Sequence, residues 1–144
     1  MKAGIAIKQV WSDDDLVEFE IVASDGTSTF RTKVYAGHQA LEELVKDLGI
    51  FRNHLHGGLY NITFGEFGPE YASGAFSARL HFYQPGKLAI TVRAESKWKE
   101  FKSTKVASSA TLYLTSEPIL LDNFIEALKQ LNAGTSSEAT LSSA

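Results

Sequence analysis

Cysteine is absent from this 144-residue chain, and its absence removes several classes of site at once. Without thiols there is no disulfide framework, no thiolate zinc site and no cysteine nucleophile. Long apolar runs are absent too, since no stretch approaches the roughly 18 apolar residues of a membrane span. The segment from Met1 to Lys8 lacks the apolar core of a signal peptide. We therefore expect a cytoplasmic protein with no membrane association.

An excess of charge of one sign is also missing. The chain carries 14 Lys and Arg against 17 Asp and Glu, which gives a net charge of −3. Both signs are interspersed, so we expect no nucleic-acid partner. Residues 97–105 do interleave Trp98 and Phe101 with four lysines, as basic stacking platforms do. We favour the simpler interpretation that these aromatics pack inward while the lysines stay solvated.

Two runs of alternating side chains, residues 16–35 and 75–96, are present and predict antiparallel hairpins. A two-residue turn at Asp25-Gly26 would set the register of the first hairpin. On the solvated face, carboxylates would then meet cations, so they are not counted as catalytic acids or bases. The predicted pairs are Ile21 with Phe30, Phe19 with Thr32, Val17 with Val34, Glu20 with Arg31 and Glu18 with Lys33.

The second run predicts Leu80 opposite Ile90 and Phe82 opposite Leu88, joined by a loop in which Gly86 takes the left-handed position. His81 then lies on the polar face, where a lone histidine is most often an ordinary surface residue.

Helical periodicity appears twice, over residues 38–48, where Gly49 would end the helix, and from Pro118 to Leu131. We expect an α+β fold with one mainly antiparallel sheet of about six to seven strands and both helices packed on one face. The element order would be three strands, a helix, four strands and a helix. Residues 1–131 would form a single domain, and residues 132–144, rich in Ser, Ala and Thr, a flexible tail.

The nearest approach to a metal motif is His54 and His56, with Glu66, Glu70 and His81 as conceivable further ligands. Residues two apart in an extended segment point the same way, and zinc sites use such spacing. A third ligand cannot be placed, however, and no His-Glu-x-x-His helix occurs. We therefore favour no metal and no cofactor.

Residues 65–74 place acidic and aromatic side chains on an irregular connection. Surface loops of this kind often carry recognition, so Glu66, Phe67, Glu70 and Tyr71 are the candidate binding residues. Turn formation and core packing of Phe67 remain an alternative. The segment lacks the lysine of a Walker loop, and the chain has no Gly-x-Ser-x-Gly elbow, so we expect a protein that is not an enzyme.

The layout from the first helix through His56-Gly57-Gly58 and the aromatic strands to residues 110–131 resembles small bacterial proteins. These include the wall-associated-protein immunity type of polymorphic toxin systems, and the resemblance covers residues 16–131. It implies a non-enzymatic protein that binds and blocks a toxin domain. Two alternatives stay open: a small-ligand or metal-dependent enzyme using residues 53–74, and a structural role in a homo-oligomer.

Overall fold

The computed structural model describes residues 2–71 and 73–144, and these contain ten strands and two helices. The α+β class with mostly antiparallel pairing is confirmed. The expectation of six to seven strands in one sheet is wrong, because the strands divide among three sheets, and six strands rather than four separate the helices. The elements are β1 (Gly4–Ser12), β2 (Val17–Ser24), β3 (Thr29–Ala36), α1 (Ala40–Phe51), β4 (Leu59–Phe64), β5 (Ala75–Gln84), β6 (Lys87–Glu95), β7 (Lys99–Phe101), β8 (Thr104–Val106), β9 (Ser109–Ser116), α2 (Pro118–Asn132) and β10 (Glu138–Ser142).

The two large sheets share one hydrophobic core. The first sheet has the order β10-β1-β2-β3 and the second the order β4-β5-β6-β9, and burial alternates along most of their strands, although β1 buries four consecutive residues. Phe19 of the first sheet meets Phe64 of the second edge to face, with ring centroids 5.7 Å apart. Phe51 of α1 stacks on Phe82 at 4.8 Å, and Phe124 of α2 is fully buried. Each sheet therefore keeps one inner face in the core and one outer face towards solvent.

The first hairpin forms, but its predicted register is wrong by two residues. The loop comprises residues 25–28, because Asp25 Oδ1 accepts hydrogen bonds from the backbone N–H groups of Thr27 and Ser28, at 2.9 and 2.7 Å. These bonds lower the pKa of Asp25. A shift of two residues keeps every side chain on its predicted face. The observed pairs include Ile21 with Thr32, Phe19 with Val34, Glu20 with Lys33 and Glu18 with Tyr35.

The predicted contact between Glu20 and Arg31 is present, but with a different strand pairing. Arg31 donates to the Glu20 carboxylate at 2.6 Å, although the two residues are diagonal neighbours rather than directly opposite. The second hairpin is confirmed, since Leu80 pairs with Ile90 and Phe82 with Leu88. Gly86 has φ of +77°, as its turn requires.

Helix α1 does not end before Gly49 but continues to Phe51, whose ring packs on Phe82. Arg52, which follows the helix, reaches α2 through a two-pronged ion pair with Asp122, at 2.6 and 3.2 Å. Neither helix in the described part of the chain is long and apolar enough to cross a membrane.

The expected flexible tail over 132–144 is also wrong, because β10 forms there and pairs with β1. Ala139 and Leu141 are buried in the core, each 1% exposed. The hydroxyl of Ser116 donates to the carbonyl of Ser142 at 2.7 Å, which ties β10 to the end of β9. The sequence of β10 carries little strand signal, because only two of its residues are apolar and small polar residues flank them.

Candidate functional site

Two connections between strands of the second sheet lie at the same end of that sheet. Strand pairing places Ala75, Glu95 and Ser109 side by side in neighbouring strands, and β4 ends at the same level. The segments 65–74 and 96–108 therefore leave the sheet together. We call this region the loop end, and it contains every residue that the sequence indicated as a candidate for binding.

The 65–74 segment is held against the outer face of the second sheet. The Arg93 guanidinium lies 4.2 Å from the centre of the Phe67 ring, a cation–π arrangement. The backbone N–H of Gly68 donates to the Glu95 carboxylate at 3.0 Å. Phe67 is consequently half-buried, and its ring packs on the sheet rather than projecting into solvent.

The other candidate residues of that segment face solvent. Tyr71 is 41% exposed, and Glu66 and Glu70 are exposed. A hydrogen bond to the Glu66 carboxylate, together with its negative charge, raises the pKa of the Tyr71 hydroxyl. Three of the four predicted binding residues are therefore accessible to a partner at the loop end.

Beside this segment the edge of the first sheet closes on the second. Gly74 N–H donates to the Lys33 carbonyl at 3.1 Å, and the Thr32 hydroxyl donates to the Glu95 carbonyl at 2.8 Å. Outside this junction lies a cleft of about 330 Å³. Its lining includes Glu18, Arg31, Lys33, Tyr35, Ser73, Ser96 and Lys97.

The 96–108 segment forms a hairpin that continues the β6–β9 pairing beyond the sheet. Ser96 N–H donates to the Ser108 carbonyl at 2.8 Å, and β7 then pairs with β8. The turn consists of Lys102 and Ser103, whose φ values are +50° and +67°. Residues 99–105 are all exposed. Because strand residues alternate between faces, exposure of both faces means that the hairpin projects away from the body. We call residues 97–107 the basic arm.

The two aromatic residues of the basic arm have different environments. Trp98, at its base, is half-buried, as the sequence interpretation expected. Phe101, next to the turn, is 55% exposed, so the expectation that it packs inward is wrong. The ammonium of Lys102 lies 5.8 Å from the centre of the Phe101 ring. An exposed aromatic ring with a cation beside it thus lies at the tip of the arm.

The conceivable metal ligands do not all come together, and His81 lies opposite Leu59 at the start of β4. His54 and His56 precede β4, whereas Glu66 and Glu70 follow it. Six strand residues lie between the two segments, and at about 3.3 Å per residue they separate them by more than about 15 Å. Within residues 2–71 and 73–144 there is no group of three or more His, Cys, Asp or Glu residues placed to hold a metal ion.

His54 instead borders a groove of about 420 Å³ between α1 and β4, away from the loop end. In this groove the Tyr60 hydroxyl donates to the Asp47 carboxylate at 3.2 Å. Partial burial, followed by the negative charge of Asp47, raises the pKa of Tyr60 to about 12. The Tyr60 hydroxyl therefore keeps its proton to a higher pH than a free tyrosine, which suits a structural hydrogen bond between helix and sheet.

In comparisons with known proteins, no family model, no curated protein and no solved structure matches this chain.

Proposed function

We propose that this chain is a non-enzymatic protein-interaction domain that binds its partner through the loop end. The observation that carries the proposal is the basic arm, a regular hairpin whose residues 99–105 are exposed on both faces. The arm adds little to the core, so its order is not explained by the stability of the fold. A preformed hairpin loses little conformational entropy on binding, which suits recognition.

The surroundings of the arm support an interface rather than a reaction centre. Phe101, Tyr71 and Tyr35 are all large exposed side chains at the loop end, with polar and charged groups between them. Protein interfaces combine aromatic contacts with a polar rim in this way. Within the described residues, those considered for metal-dependent catalysis lie at both ends of β4 and form no group that could hold a metal ion.

The specific form of the proposal is an immunity-like bacterial protein that blocks a toxin domain in the cytoplasm. It rests on the resemblance of layout over residues 16–131. It also fits a binding surface made of connections, because changes in loops alter specificity without disturbing the sheets that carry them. The partner would then be a toxin domain that covers the loop end.

The test is affinity capture from source cells with the wild-type chain and an arm-less variant. In that variant an Asn-Gly turn replaces residues 97–107 and connects Ser96 to Ser108. The backbones of these two residues already form a hydrogen bond. We expect a stoichiometric protein partner on the wild type that the arm-less variant loses. A similar unfolding midpoint for both proteins is the folding control.

Two results would count against the proposal. One is repeated capture with no protein partner. The other is a partner that the arm-less variant retains fully, because binding would then use another surface. Identification of the partner as a toxin domain would support the immunity-like form, and a partner of another class would overturn that form alone.

A further inference from the structure

The basic arm and the rest of the chain carry net charges of opposite sign. Residues 97–107 contain four lysines and one glutamate, a net charge of +3. The other residues contain ten Lys and Arg against sixteen Asp and Glu, a net charge of −6. A local surplus of positive charge on an otherwise acidic protein attracts a partner with negative potential to that location.

The positive charge is concentrated on one face of the arm. Lys99 and Phe101 alternate with Glu100 in β7 and therefore share a face, whereas Lys97 precedes the strand at the base of the arm. On the opposite face Glu100 lies directly across from Lys105, so those two charges offset each other. The face with Phe101 carries Lys99 and no carboxylate, and Lys102 adds a second cation beside the aromatic ring.

The positive surface continues from the arm into the cleft at the sheet junction. Lys97, at the base of the arm, lines this cleft, which also contains Arg31, Lys33 and a single carboxylate, that of Glu18. Arg31 is already paired with Glu20, which lies outside the cleft lining. Lys33 and Lys97 extend the positive surface from the tip of the arm to the body of the protein.

A protein partner fits this surface better than a nucleic acid. Glu66 and Glu70 are exposed on the neighbouring segment of the loop end. A duplex carries about one negative charge per 1.7 Å along its whole length, and would be repelled by these carboxylates wherever it extends over the loop end. A protein surface can present negative charge opposite the arm and neutral groups opposite the acidic segment.

We propose that Lys97, Lys99 and Phe101 of the basic arm dock on an acidic protein surface, with Phe101 as the apolar anchor. This inference rests on the proposed function and names the chemistry of the partner. The cations speed and orient the encounter, and the desolvated ring supplies the larger share of the affinity.

Two probes test the chemistry directly: a glutamate-rich peptide with a central leucine pair, and a single-stranded oligothymidylate. Binding is measured by fluorescence anisotropy at low and at physiological ionic strength. The test variant replaces Lys97, Lys99 and Lys102 with Gln. The matched control replaces Lys2, Lys46 and Lys87, which are exposed elsewhere, and changes the net charge equally.

We expect the peptide to bind the wild type, and the arm variant to bind it at least about 10-fold more weakly. The control variant should change binding by less than about 2-fold, and F101S should weaken it by about 10-fold or more. No peptide binding, equal losses in both lysine variants, or tighter binding of the oligothymidylate would each overturn the inference.

Capture of the partner from cells with each variant distinguishes a failure of this inference from a failure of the proposed function. A partner lost by the arm-less variant but fully retained by the arm lysine variant would leave the interaction function standing and refute the acidic surface. Loss of that partner with both variants, but not with the control lysine variant, supports both.

Discussion

Replacing Gly74 with alanine perturbs the junction between the two large sheets. An added Cβ would contact the Thr32 hydroxyl and lie 2.7 Å from the Glu95 carbonyl oxygen and 2.9 Å from the Lys33 carbonyl oxygen. Two of these atoms belong to the backbone of other strands, so they cannot move without disturbing the pairing. The same two carbonyls accept the hydrogen bonds that connect the sheets.

The expected cost follows from these contacts. Overpacking a close contact costs about 1–3 kcal/mol, and each weakened hydrogen bond costs about 1 kcal/mol. Alanine lowers the conformational entropy of the unfolded chain relative to glycine, and this offsets about 0.5–1 kcal/mol of the loss in stability. We therefore expect G74A to lower the free energy of unfolding by about 3 kcal/mol, within a total of about 5–15 kcal/mol for a typical domain.

Urea unfolding followed by circular dichroism measures the change. With a slope of about 2 kcal/mol/M, the midpoint should fall by about 1.5 M. The matched control is G49A, because Gly49 lies on the exposed side of α1 and nothing lies within 4 Å of an added Cβ. That substitution should raise stability by up to about 1 kcal/mol. An unchanged midpoint for G74A, or equal shifts in both variants, would refute the close approach at Gly74.

Two further predictions concern the carboxyl-terminal strand and the helix–sheet groove. Replacing Leu141 with Ala should lower the free energy of unfolding by about 2–4 kcal/mol, because the side chain is buried in the core; a change below about 0.5 kcal/mol in urea unfolding would mean that the segment does not pack. The folded state raises the pKa of Tyr60 from 10 to about 12, so the neutral Tyr60 hydroxyl contributes its full stabilisation below pH 10. This contribution is lost as the pH rises towards about 12. Wild-type stability should therefore fall more steeply over that interval than that of Y60F, and parallel curves from urea titrations at each pH would contradict the Asp47–Tyr60 interaction.

Local patterns predicted those elements whose signals lie within a few residues. The second hairpin folds in its predicted register because Gly86 provides the left-handed position that its short turn requires. In the first hairpin, the Asp25 carboxylate accepts two N–H groups and favours a longer loop. Side-chain alternation could not detect that difference, because a shift of two residues leaves every face unchanged.

Tertiary contacts determine the elements that the sequence did not predict. Ala139 and Leu141 form a strand because β1 offers an unpaired edge and the core has space beneath it. Strands β7 and β8 have three residues each, too few for a clear alternation, and Lys102 and Ser103 make their turn without glycine. Alternation also reports only which side of a strand is apolar, so it could not show that the strands divide into separate sheets.

Photocrosslinking in source cells tests most directly whether the loop end is the recognition surface. Benzoylphenylalanine is placed at Ser103, in the turn of the basic arm, or at Lys87, beside the turn at the opposite end of the second sheet. We predict a discrete crosslinked protein from position 103 and none from position 87. Crosslinking from position 87 alone, or from neither position, would contradict the account.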